Sequence, residues 1–253
     1  MFVIKQDYEF IIKSIIDEDS ITNPANPLNG KIVNDAFGGC LKFDKKIGEW
    51  KYEDSEQKQE KDRIIVLVLE SPHKDEFDSN GNEIKPFFHR EKIENNANKI
   101  FGKILKNSHN NEYCLYFMNA IQLQCSLGFD TELFRDYVFL YYWNNKKEDF
   151  ERRLNDFISN EKNVSYVINV VTKGSHSKYP YLFNKTTQSL EYTFKKVGKK
   201  FLKKFCDNGD NSIKSLQDIV DVSISKIINK NEQIAHKRGT HPSGWYSDKA
   251  KIY

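Results

Sequence analysis

Cysteine is scarce in this chain of 253 residues: four, at positions 40, 114, 125 and 206, with no CxxC pair among them. That spacing argues against a zinc or iron–sulfur cluster built on close pairs, so no metal and no cofactor are expected. The opening MFVIKQDYEFIIKSIIDED carries acids throughout and lacks a small-residue cleavage site, unlike a secretory leader. Disulfides are therefore not expected, and a reduced, cytoplasmic setting is. Long apolar runs are also missing; none approaches the ~18–20 residues that span a bilayer. The mean hydropathy of -0.69 and a hydrophobic content of 38% fit a chain with a wet surface. Charge of one sign does not dominate either: 39 basic and 36 acidic residues leave +3, too little to imply a nucleic-acid partner alone. There is no GxxxxGK[ST] loop, which excludes that type of NTPase. Internal repeats and low-complexity segments are absent.

What the chain does have is four short apolar runs, each ending in a polar turn: LVLESPHKDEF (67–77), LYFMNAIQL (115–123), VINVVTKGS (167–175) and THPSGW (240–245). The first three read as buried parallel strands. In an open α/β sheet, ligands bind at the carboxyl ends of the strands, where such tails converge. Basic residues are also clustered locally. Lys195, Lys196, Lys199, Lys200, Lys203 and Lys204 crowd one stretch, and His236, Lys237, Arg238, Lys249 and Lys251 surround the last motif. Either group could neutralise phosphates. The lysine run also reads as the solvated back of a helix, because Phe194, Val197, Phe201, Leu202 and Phe205 recur at helical spacing.

Residues 1–62 read as an N-terminal helical and loop extension, and 63–253 as the main domain. Tyr8, Ile11, Ile12, Ile15 and Ile16 fit one helix face, and two Asn-Pro pairs then force a loop. Strands are predicted at 64–69, 113–119 and 164–171. Helices are predicted near 89–106, between about 131 and 159, over the lysine-rich stretch, and over 212–229. A last short strand before His241 is weakly marked. This alternation predicts a three-layer α/β/α sandwich with a mainly parallel four-stranded central sheet.

In order and spacing, the four segments resemble the motifs of the uracil-DNA glycosylase superfamily, over roughly residues 63–253. The resemblance implies a DNA glycosylase that flips a pyrimidine nucleotide and hydrolyses its N-glycosidic bond, releasing uracil or a 5-substituted base and leaving an abasic site. Such a reaction builds positive charge on the sugar and negative charge on the departing base. It needs a group to hold water and steady the cation, a donor to the base oxygen, an aromatic plate and an edge-reading amide. By resemblance, Asn119 reads the base edge, His241 of the HPS triplet donates to the base carbonyl, and Phe87 stacks on the base, with Phe88 as alternative.

The chain departs from the family in its first motif. Ser71 stands where the best-known branch has its water-positioning aspartate, and Glu70 matches the glutamate of the iron–sulfur-containing branch. Glu70 is the first candidate for water positioning, with Asp75 and Glu76 behind it. His73 replaces a tyrosine that excludes thymine, which implies room for a 5-substituent; separately, resemblance to superfamily members that act on modified phage DNA implies a role in defence. Trp245 sits at the position of the family's wedge, the side chain that fills the gap left by a flipped nucleotide. Lys173, Gly174, Ser175, Ser243, Lys237 and Arg238 are the expected DNA contacts. The expected partner is DNA, bound by a monomer. Two rival functions remain: a glycosylase-fold binding module without hydrolysis, and a nucleotide-binding hydrolase or effector.

Overall fold

A computed structural model describes residues 3–4, 32–55, 62–73, 76–78, 80, 82–83, 90–125, 131–174, 178–179, 183–184, 189–190, 195–196, 206–207, 215–245 and 250–253. Its framework is a mixed six-stranded sheet. The strands are β1 (Ala36–Asp44), β2 (Glu49–Glu53), β3 (Arg63–Leu69), β4 (Glu112–Asn119), β5 (Val164–Asn169) and β6 (Ala235–Arg238). Their spatial order is β6-β5-β3-β4-β1-β2. The four strands β6, β5, β3 and β4 run parallel, and β1 and β2 extend the sheet antiparallel.

The central strand explains the register. RIIVLVL in β3 is apolar on both faces, as a strand buried between two layers must be, and Ile64 to Val68 are all at most 1% exposed. Ile65, Leu67 and Leu69 pack with Ile93, Ala97, Ile100, Phe101 and Leu105 of helix α1 (Arg90–Leu105). Ile64, Val66 and Val68 pack on the other face with Phe139, Trp143, Phe150 and Leu154 of helix α2 (Thr131–Asn160). Leu216, Ile219, Val220 and Ile224 of helix α3 (Leu216–Ile228) join that second layer. Side chains at i, i+3, i+4 and i+7 form each helical stripe, so the helices lie where the 3.6-residue period placed them.

Three expectations need correction. The sheet has six strands rather than four, because residues 36–53 form a hairpin within it instead of a helical and loop extension. In EWKYE the pleat buries Trp50 and Tyr52 and exposes Glu49, Lys51 and Glu53. That period-two signal is short, and the Gly-Gly pair in AFGGCLKFD hides its partner. Of the expected lysine-rich helix, Lys195–Lys196 forms a two-residue strand paired with Lys178–Tyr179, and its other lysines lie outside the described residues. The helix face predicted at Tyr8 to Ile16 lies outside them as well.

The Gly-Gly pair is required by the backbone. The β1–β4 register shifts between Phe37 and Cys40, leaving Gly38 and Gly39 in a bulge. Gly39 has φ of +91°, and a Cβ there would sit 2.5 Å from the Glu53 carbonyl oxygen. Gly39→Ala is therefore expected to cost about 1–3 kcal/mol of stability, read as a lowered urea midpoint with unchanged slope. An unchanged midpoint would mean that the bulge has another solution.

Candidate active site

The parallel strands bring the motif tails to one rim. Residues 70–73 follow β3, 120–125 follow β4, 170–174 follow β5 and 239–245 follow β6. The chain leaves β3 toward β4 on one side and returns to β5 on the other, so β3 and β5 flank the topological switch point. Crevices form there because the two connections diverge.

Glu70 occupies this switch point. The pleat sends it to the α2 face, where it is 3% exposed. Arg135 on α2 sits with Nε 3.2 Å from Glu70 Oε1 and 3.0 Å from Asp136 Oδ1. Glu70 Oε2 is buried without a hydrogen-bond partner. Burial raises the Glu70 carboxyl from 4.5 to about 7, against the lowering pull of the Arg135 guanidinium; Asp136 adds to the rise and the Thr172 main-chain amide opposes it. A carboxyl poised near neutrality with one vacant lone-pair site is a group that can hold a water or accept its proton. Ser71 hydrogen-bonds the buried Cys125 thiol, which burial pushes upward.

Next to Thr172 opens a cleft of about 470 Å³ lined by Lys173, Gln217, Thr240, His241, Lys251 and Tyr253. The chain end forms one wall: Thr240 N donates to Lys251 O at 2.9 Å, and Arg238 and Tyr253 exchange main-chain bonds at 3.1 and 2.8 Å. Gly174 turns beside the cleft with φ of +90°, a conformation that favours glycine. Lys173 is exposed, as a phosphate contact must be.

No protein-family model, curated protein or solved structure matches this chain.

The predicted residues therefore divide. Glu70, Ser71, Lys173, Gly174 and His241 share the rim, with Glu70 and the cleft joined through residues 171–173. Strands lie about 4.8 Å apart, so the main chains after β3 and β6 are separated by about 10 Å of rim. Asn119 stands apart. It pairs in register with Leu69, and its strand neighbours Phe117 and Leu115 pack on the α1 face, so its side chain points away from the Glu70 face. Its carbonyl accepts from Arg153 Nη2 at 2.9 Å. His73 is half-buried on the loop after β3, with its carbonyl accepting from Glu76 N at 3.0 Å.

Trp245 is the clearest correction among the site residues. It is 0% exposed in the α1-face core, and its Nε1 donates to the Thr240 carbonyl at 2.7 Å. A wedge must be free to enter a base stack, whereas this ring packs the core and pins the loop after β6. Arg238 is also committed elsewhere, paired with Asp218 at 2.8 Å and with Asp221. Lys237 is half-buried within β6. Asp75, Phe87, Phe88 and Ser175 lie outside the described residues, as does the side chain of Ser243.

Sequence reasoning missed Arg135, Gln217 and the polar network behind β5. Asn169 Nδ2 donates to Asp221 Oδ1 at 2.7 Å and to the Gln217 carbonyl at 2.9 Å. His236 Nε2 lies 2.9 Å from Asp221 Oδ1. Asp221 interrupts the apolar stripe of α3 between Val220 and Ile224, and a carboxylate in such a stripe was the available signal. Arg135 carried none.

At the opposite end of the sheet, Cys40 and Cys114 face each other across β1 and β4 with sulfurs 3.2 Å apart. Cys114 Sγ donates to Asp62 Oδ2 at 3.2 Å. Two thiols and a carboxylate could hold a soft divalent ion. The thiols also satisfy each other and Asp62 without one, and Cys40 and burial push the Cys114 thiol up.

Proposed function

We propose that this protein hydrolyses the N-glycosidic bond of a pyrimidine nucleotide, in the manner of a DNA glycosylase with a uracil-DNA glycosylase-like parallel sheet core. The observation that carries this reading is Glu70: a buried carboxyl near neutral pKa, with an orphaned oxygen, at the switch point of the parallel strands. Its roles would be to hold the attacking water and to offset charge on the sugar. His241, beside the Lys173 cleft, supplies an N–H for the leaving base oxygen. His73 in place of a bulkier ring leaves space beside a pyrimidine C5, which favours 5-substituted bases.

Duplexes carrying uracil or 5-modified pyrimidines, incubated with the protein and then treated with alkali, test the proposal. Strand scission at the modified position is expected. Its absence across a broad panel, together with tight binding, would leave a binding module.

The buried Trp245 favours one second reading. With Trp245 held in the core rather than free to enter a base stack, a mononucleotide is an easier ligand than a base within a duplex. Salt separates the two. A protein contacting several DNA phosphates loses affinity log-linearly with salt, by about 10³–10⁵ between 50 and 200 mM for six to ten contacts. A nearly flat response would assign the site to a free nucleotide.

A further inference from the structure

Cys40, Cys114 and Asp62 meet at the end of the sheet opposite Glu70, and each arrives from a different strand. Cys40 lies on β1, Cys114 on β4, and Asp62 immediately precedes β3. Alternation along β3 sends Asp62 to the face of Ile64 and Val66, the face on which both cysteines pack. Cys114 pairs in register with Ile64 on one side and with Cys40 on the other, so pleat and register together bring the three side chains to one point. Their ligand atoms all lie within 4.8 Å of one another. The sulfurs are 3.2 Å apart, and Cys114 Sγ is 3.2 Å from Asp62 Oδ2.

This is a polar cluster in an apolar layer: Cys40, Cys114 and Asp62 are 3%, 1% and 9% exposed. A thiol is a weak donor and compensates a carboxylate poorly for lost water. A divalent cation balances the carboxylate and takes both sulfurs as thiolates. Two thiolates and one carboxylate suit a zinc-class ion, whereas calcium and magnesium require oxygen throughout. Tetrahedral ligands with Zn–S of about 2.3 Å place two sulfurs about 3.8 Å apart. Cys40 and Cys114 therefore need to part by only about half an ångström, a small side-chain rotation. Three protein ligands leave the fourth position to a water.

We propose that Cys40, Cys114 and Asp62 bind one zinc-class divalent ion that staples β1 to the parallel core. Cys40↔Cys114 is the first pair after the register shift at the Gly38–Gly39 bulge, so an ion there fixes the register where β1 is most free to slip. Binding converts both thiols to thiolates and releases their two protons to solvent. Spacing rules for cysteine pairs miss the site because its two cysteines stand 74 positions apart in the chain. It is independent of the glycosidic reading.

The test is titration of the reduced, chelator-stripped full chain with zinc and with cobalt(II). Zinc should bind at one ion per molecule. Cobalt should give thiolate charge-transfer absorption together with the intense d–d bands of a tetrahedral site. Cys40→Ser and Cys114→Ser should each diminish the charge-transfer band and weaken zinc binding about tenfold or more, and Asp62→Asn should weaken zinc binding similarly while keeping that band. Cys125→Ser should leave the spectrum unchanged. Zinc should also raise the melting temperature of the wild type, a readout that holds even if a serine variant does not fold. No binding, a weak octahedral cobalt spectrum, a spectrum that survives both serine variants, one lost on replacing Cys125 or Cys206, or a melting temperature indifferent to zinc would overturn the proposal.

Discussion

Replacing Glu70 by glutamine should lower base release by roughly 10²–10⁴-fold, the usual worth of a positioned acid–base group. The pH profile carries the sharper expectation. Glu70 holds its proton up to about 7, so a rate that needs the carboxylate rises as pH climbs through neutrality in the wild type. The variant should lose that rise. Stability moves the opposite way, because a carboxyl whose folded value lies above its ordinary 4.5 favours the folded state most when protonated. Wild-type stability should fall between pH of about 4.5 and 7, by on the order of 3 kcal/mol from this group, and the variant should lack that fall. Urea unfolding across this range, wild type against Glu70→Gln, gives the difference directly. Parallel stability curves together with unchanged release would remove Glu70 from the mechanism.

Asp221→Ala should be among the most damaging single changes to the fold outside the apolar core. Asp221 is 5% exposed and receives Asn169, His236 and Arg238. Removing it leaves a buried amide, an imidazole and a guanidinium each short of one acceptor, although Arg238 keeps Asp218 and Asn169 keeps the Gln217 carbonyl, at a cost of about 1–3 kcal/mol. The network ties β5, β6 and α3 together directly beneath the cleft, since Gln217 also clamps the Asn169 and Gly239 carbonyls. Ligand affinity should therefore fall with stability in this variant, even though Asp221 does not line the cleft. A midpoint shift worth under about 1 kcal/mol would show that water substitutes for the carboxylate.

The parallel strands and their helices were readable because their patterns are long and consistent. Six consecutive apolar residues in RIIVLVL and the stripe from Ile93 to Leu105 leave little choice of element. The hairpin at 36–53 was not readable: a double-glycine bulge breaks one strand, and the other has five residues, too few for alternation to stand out. The rim positions of Glu70 and His241 followed from strand-end logic. Whether a strand-end side chain faces one helical layer or the other depends on register, and a single residue reverses it; that is how Asn119 and Glu70 part. Trp245 was misread because a tryptophan after an HPS triplet carries no mark of whether its ring points outward or into the core. Gln217 was invisible, since its importance lies in two main-chain carbonyls that converge only after folding.

The central claim is that this chain cleaves a base from its sugar using Glu70, and mass spectrometry of free bases released from DNA measures it most directly. DNAs containing uracil and a range of 5-substituted pyrimidines, incubated with wild type and with Glu70→Gln, should yield a free uracil-type base from the wild type alone. Intact DNA in both incubations, or equal release by both proteins, would contradict the account.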